Sequence, residues 1–170
     1  MSILIIAVAR SGSSRLLQAV SHAYGKEGIF EPTTPGCLAD FNPSTDIVKT
    51  AVETLPLADH LKLIRQFDKT ILLDRKDRLA QAISYLNLQT HMKGNYDSKY
   101  VSKDFTQDQI NRSLSRLEDT REQLEDISKT LSLPIVYLED LIALKEIGVK
   151  YSKSFFAPEF KLRQEKKQLF

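Results

Sequence analysis

The sequence predicts an α/β fold, a single doubly wound domain with a mostly parallel central sheet of about four to five strands. Three observations carry that expectation. Short apolar runs alternate with amphipathic helical patterns along the chain. Each clear strand candidate is apolar at consecutive positions, as a strand covered on both faces should be. The first candidate strand runs directly into a small-residue loop and then a helix, the opening unit of doubly wound domains.

The elements follow in order. Ile3 to Val8 is the first strand, and Leu16, Leu17, Val20 and Ala23 mark a helix ending near Gly25. Residues 32–46, with Pro32, Pro35, Gly36 and Pro43, read as an irregular segment of the kind that carries function. Ile47 to Val52 is a second strand. Leu57 to Phe67 is a helix with Leu57, Leu61 and Ile64 on one side, and Thr70 to Leu73 is a third strand. Arg78 to His91 is a helix with Leu79, Ala82, Ile83 and Leu86 on one face. Residues 92–104 turn polar and form a loop.

Thr106 to Gln109 is a capping box opening a long helix, which buries Ile110, Leu114, Leu117, Leu124, Ile127 and Leu131. Its charged face carries no assigned chemistry. Pro134 precedes a fourth strand, Ile135 to Leu138, and a short helix starts at Glu139. Past Gly148 the chain becomes aromatic and basic.

The 170 residues make one domain, 1–170, long enough to bury a core. A 42% hydrophobic and 27% charged composition with net charge +2 gives no reason to expect a nucleic-acid or membrane partner. The run Ile3 to Val8 is too short for a signal peptide or a membrane span, so the expected location is cytoplasmic. Cys37 is the one cysteine; it excludes an intramolecular disulfide, agrees with a reducing compartment and is read as structural or incidental.

Two segments can carry chemistry. In Ala9-Arg10-Ser11-Gly12-Ser13-Ser14-Arg15, backbone amides at the start of a helix meet a glycine, hydroxyls and two cations. That is an anion cradle, although the same string also fits a tight turn with a helix N-cap. It lacks the second glycine and the lysine of a Walker A loop. The second segment is Asp74-Arg75-Lys76-Asp77-Arg78 with Ser84 and Tyr85, at the end of the third strand. Arg75 can clamp a phosphate with its planar fork, and a solvated helix start is the plainer reading.

Together these segments resemble the sulfotransferases, the bacterial carbohydrate sulfotransferases in particular. The Arg-Ser-Gly-Ser-Ser turn is similar to that family's 5′-phosphosulfate loop, and Arg75 with Ser84 to its 3′-phosphate site. Pro134 to Leu141 is similar to the family's strand ending in Tyr-Glu-Asp-Leu, and Lys161-Leu162-Arg163-Gln164 to its basic C-terminal segment. The resemblance implies a P-loop NTPase-like fold and a cosubstrate, 3′-phosphoadenosine 5′-phosphosulfate (PAPS), with adenosine 3′,5′-bisphosphate (PAP) as product. It implies transfer of the sulfuryl group to a hydroxyl or amine of a small-molecule or carbohydrate acceptor, with no metal needed. Arg10 would hold the departing 5′-phosphate and the sulfuryl oxygens, helped by Ser11, Gly12, Ser13, Ser14 and Arg15. Arg75, Ser84, Lys161 and Arg163 would bind the rest of the nucleotide. Lys49 matches the lysine of a family motif Lys-Thr-His and would also touch the sulfuryl group.

The chain departs from the family at three places. Ala51 stands where the histidine of Lys-Thr-His would be, so Glu31, in Gly-Ile-Phe-Glu-Pro, is the candidate base, with His91 as an alternative. Ala9 replaces a proline, and the chain is shorter than its relatives, which leaves the acceptor open. Residues 32–46 and 92–104 are expected to shape the acceptor cleft, with Gln89 and Thr90 near its entrance. Two other readings stand beside the enzyme: a P-loop nucleotide kinase or NTPase with Asp74 holding magnesium, and a non-catalytic nucleotide-binding relative.

Overall fold

The strand β1 (Ile3–Ala7) is the axis of the molecule, and its two neighbours decide where everything else lies. A computed structural model describes residues 1–32, 41–91 and 105–146. The chain runs β1, α1 (Ser13–Tyr24), β2 (Gly28–Phe30), β3 (Ile47–Ala51), α2 (Leu57–Ile64), β4 (Lys69–Asp74), α3 (Arg78–His91), α4 (Gln107–Leu131), β5 (Ile135–Tyr137) and α5 (Leu138–Glu146). A single 3-10 turn, Val52–Thr54, follows β3. The five strands form one sheet in the order β2-β3-β1-β4-β5, and every pairing is parallel. The doubly wound α/β reading therefore holds.

The apolar runs explain this arrangement. All five residues of β1 are buried, and alternate residues face opposite cores. Ile3, Ile5 and Ala7 pack with Leu16, Leu17 and Val20 of α1 and Leu141 of α5. Leu4, Ile6 and Val8 pack with Leu63 and Ile64 of α2, Tyr85 of α3, and Leu117, Leu124 and Ile127 of α4. Both faces are covered, so each fully buried leucine or isoleucine contributes about 1.5–3 kcal/mol.

Several elements differ from the sequence reading. β2 was not expected; at three residues it is too short to carry a periodic signal. The helix after Pro56 ends at Ile64 and buries His60, Leu63 and Ile64, not the stripe through Leu57 and Leu61. Arg78–His91 turns inward on Gln81, Ala82 and Tyr85, leaving Leu79 53% exposed. Gln81 displaces the leucine because the interior at this point offers it polar partners. The capping box at Thr106 and Gln109 is present, with hydrogen bonds in both directions.

The order of the strands positions the site. From β1 the chain first builds the sheet toward β3 and β2, then crosses to β4 and β5 on the other side. The carboxyl end of β1 is therefore the point where strand order reverses. Connections leave a crevice there, and ligands of open parallel sheets bind in it.

Candidate functional site

The turn from β1 into α1 occupies that crevice. The Ser11 amide donates to the Val8 carbonyl at 3.2 Å, and the Arg15 and Leu16 amides return to the Gly12 carbonyl. The first-turn amides of a helix have no intrahelical acceptor, and no side chain caps α1. The positive end of the helix is left facing the crevice. Ser11 is fully buried, and its hydroxyl has no hydrogen-bond partner among the described residues. Buried hydroxyls are ordinarily satisfied, so this one stands ready for an acceptor.

Gly12 has φ +82°, and a Cβ built there would lie 2.7 Å from Cδ1 of Leu138. Only glycine allows this turn and the first residue of α5 to pack so closely. Arg10 also adopts a left-handed backbone, φ +63°, and Glu31 another, φ +43°. The third such non-glycine residue among those described, Ser132, is a helix C-cap. Left-handed backbone costs a side chain about 1–2 kcal/mol. Two predicted site residues thus hold strained conformations at the same end of the sheet.

The side chain of Arg10 crosses to α3, where its Nε donates to the Ser84 hydroxyl at 2.9 Å. The structure therefore brings together the two segments that the sequence held apart by 74 residues. Beneath them lies a buried polar network. Asp74, at the end of β4 and 1% exposed, accepts from Nε of Arg121 at 2.6 Å. Arg121, 4% exposed, also donates to Gln81 at 2.9 Å and to Glu118 at 2.6 Å. Gln81 in turn donates to the Ala9 carbonyl at 2.8 Å and reaches Asp74 at 3.5 Å. The peptide bond just before Arg10 is thus fixed from below. Asp74 is committed to Arg121 and Gln81, a poor starting point for the magnesium ligand of a kinase.

Lys49 and Glu31 meet across the pairing of β3 with β2. Lys49 is buried at the middle of β3, and its Nζ lies 2.5 Å from Oε1 of Glu31. The Glu31 amide donates to the Lys49 carbonyl at 2.7 Å, so backbone and side chain pair together. Phe30 closes the remaining side, with the ammonium 4.7 Å from its ring centre. The candidate base is therefore a carboxylate gripped by the lysine expected to touch the sulfuryl group.

Glu53, in the 3-10 turn, was not singled out from the sequence. It keeps solvent contact, yet its pKa is raised. Partial desolvation by the surrounding protein is the main cause, and the charge on Glu31 adds to it. Its own amide, Arg116 and Lys49 pull the other way without prevailing.

Arg75 lies in the turn between β4 and α3 with its side chain 24% exposed, and its Nε is 3.4 Å from Oε1 of Glu139. Glu139 also accepts from the Lys76 amide at 2.9 Å and the Asp77 amide at 3.1 Å. Its pKa is lowered: partial burial opposes the charge, but these amides, its own amide and the Arg75 cation outweigh that. Lys76 pairs with Asp140 at 2.5 Å. Asp77 caps α3 by accepting from the Ala80 amide at 2.9 Å.

Arg15 is exposed on α1, and Ser13 and Ser14 form its first turn. Lys161, Arg163 and Cys37 lie outside the described residues, as do the side chains of Thr90 and His91 and the segments 33–40 and 92–104. His60 is a core residue, bonded through Nε2 to the Val52 carbonyl at 2.9 Å. Burial lowers its pKa, against the Val52 bond and Asp59. Two concavities lie away from these groups. One of about 310 Å³ is lined by Met1, Phe67, Asp68 and Leu133, and one of about 660 Å³ runs along β2 past Lys26 and Asp46. Neither includes Arg10, Ser84 or Arg75, and the strained backbone and unsatisfied donors place the candidate site at the carboxyl rim instead. No grouping of acidic, histidine or cysteine side chains suited to a metal ion occurs among the described residues. No described helix is long and apolar enough to cross a membrane.

The class defined by fold and site is an all-parallel α/β domain with an open, positively charged helix N-terminus at its switch point. Compared with protein-family models and with curated proteins, the sequence finds no match.

Proposed function

We propose that this chain binds PAPS at the carboxyl rim of its sheet and transfers the sulfuryl group to a hydroxyl or amine of a small-molecule or carbohydrate acceptor. One observation carries the reading most: the 2.9 Å bond between Arg10 and Ser84, which joins the α1 turn to the α3 segment. A ligand with two separated phosphates needs both segments on one rim. The donor set suits such a ligand. The turn offers a bare helix start, an orphaned Ser11 hydroxyl and a glycine that admits close approach, all fitted to a 5′-phosphate. Arg75 is a second cation on the neighbouring strand end.

Sulfuryl transfer is an in-line displacement resembling phosphoryl transfer, so positioning and charge supply most of the rate. The acceptor oxygen or nitrogen forms a bond to sulfur while the bond from sulfur to the bridging phosphate oxygen breaks. The electron pair leaves with the phosphate, whose charge Arg10 and the α1 amides offset. Glu31 takes the acceptor proton, and Lys49, already at its carboxylate, would contact the sulfuryl oxygens.

Calorimetric titration tests this reading. Adenosine 3′,5′-bisphosphate should bind more tightly than ATP with magnesium. Arg10→Ala should weaken the bisphosphate at least about tenfold, as loss of a charge-assisted contact does. A preference for magnesium ATP would reject the assignment in favour of a kinase or NTPase.

A further inference from the structure

The segment Leu138-Glu139-Asp140 opens α5 and touches both anion-binding turns at once. Leu138 packs on Gly12 of the α1 turn. One residue later, Glu139 is bonded to the other turn through the amides of Lys76 and Asp77 and lies against Nε of Arg75. The start of α3 is capped by Asp77, and Glu139 takes the two amides just ahead of it, those of Lys76 and Asp77, so an incoming anion would meet negative charge there. What remains for an incoming anion is the outer edge of Arg75. Among the described residues Arg75 has no partner besides Glu139, so its two terminal nitrogens are uncommitted. Glu139 pairs with Nε by charge at 3.4 Å and not through a hydrogen bond, and a guanidinium with a carboxylate on that side presents its opposite edge as a pair of donors, the geometry that a phosphate takes up in bidentate fashion.

We propose that Glu139 is a specificity-determining positioning residue: it aims the outer edge of Arg75 at the second phosphate of the nucleotide and so sets the preference for a 3′,5′-bisphosphate over a 5′-monophosphate. This rests on the two-phosphate reading of the site. Glu139 itself does not touch the ligand. Its effect passes through Arg75, and it should vanish when that arginine is removed.

The measurement is the ratio of affinities for adenosine 3′,5′-bisphosphate and adenosine 5′-monophosphate, read by calorimetry on the full chain. In the wild type the bisphosphate should be favoured by about a hundredfold, and Glu139→Gln should cut that ratio about tenfold, almost wholly through the bisphosphate. Arg75→Ala should reduce it at least as far, and adding Glu139→Gln to Arg75→Ala should change nothing more. Asp140→Asn, which loosens Lys76 in the same turn without reaching Arg75, should leave the ratio within about twofold. If Glu139→Gln does not fold, Arg75→Lys serves instead. It keeps the charge but lacks the anchored fork, and should also lower the ratio about tenfold. The inference is overturned if a discriminating wild type keeps its ratio in Glu139→Gln or Arg75→Lys, or if Asp140→Asn lowers it equally. A wild type that binds the bisphosphate no better than the monophosphate would instead remove the two-phosphate reading, and this inference with it.

Discussion

Two helices begin side by side at the carboxyl rim, α1 after β1 and α3 after β4, and their first turns are finished in opposite ways. The start of α3 is closed: Asp77 caps it, Glu139 takes the two amides just ahead of it, and Asp140 pins Lys76. The start of α1 is open, with a glycine at the cap position, no acidic residue in the first turn and a buried hydroxyl lacking a partner among the described residues. Both sequences are rich in side-chain donors, Arg10 with three serines in one and Arg75, Lys76 and Arg78 in the other. The difference shows that an anion site is identified by donors left over once the chain has satisfied itself, not by the donors it contains.

The open turn stands on the buried network of Asp74, Arg121 and Gln81, whereas the closed turn is braced by exposed ion pairs. Removing support under the open turn should therefore cost far more. Arg121→Ala leaves Asp74 charged, buried and without its cation, and should destabilise the protein by about 3–5 kcal/mol. Arg78→Ala removes a solvated partner of Glu118 and should cost no more than about 1 kcal/mol. Denaturant midpoints of the two variants decide the matter, and equal losses would erase the distinction.

Crowding at the open turn gives a smaller effect. Gly12→Ala meets both a left-handed backbone and the Leu138 methyls, while Gly25→Ala, at φ +61°, has nothing within 4 Å of its added carbon. The helix-end variant should lose about 1–2 kcal/mol from backbone conformation alone. The turn variant should lose that plus whatever moving Leu138 costs, and its bisphosphate affinity should fall as well. Matching thermal midpoints with intact binding would mean that close approach to α5 is unimportant to the site.

The sequence disclosed the parallel sheet because doubly covered strands leave continuous apolar runs, as in Ile3 to Val8 and Thr70 to Leu73. It disclosed Arg10, Ser84 and Arg75 as candidates but not the bond between the first two, since only the strand order brings them together. The buried Arg121 leaves a trace in the sequence. The apolar stripe of α4 skips from Leu117 to Leu124, and Arg121 stands four residues after one and three before the other, on the buried face. Gln81 likewise replaces Leu79 in the core-facing stripe of α3, but a glutamine at that spacing reads as surface until its partners are known. The sequence shows no role for Glu139, because the turn it holds lies more than 60 residues earlier. Nothing in the three residues of β2 announces a strand.

Two carboxylates with opposite shifts, one at the closed turn and one in the 3-10 turn after β3, carry the comparison into solution. At the closed turn Glu139 is held below its ordinary pKa. At the rim beside Lys49, Glu53 is held above its ordinary value of 4.5, chiefly by desolvation and then by Glu31. A carboxyl whose folded pKa is raised binds more protons in the folded state than in the unfolded one between the two values, so stability falls as pH rises through the folded value. Below the unfolded value both states are protonated and the group contributes no pH-dependent difference. Glu53→Gln removes this unfavourable ionisation. It should therefore raise the thermal midpoint slightly at neutral pH, with the gain shrinking to nothing as pH falls below the ordinary glutamate range. Melting curves of wild type and variant across that range measure the effect. A gain that persists undiminished in acid would show that Glu53 acts through packing, and that its charge is not held at a cost.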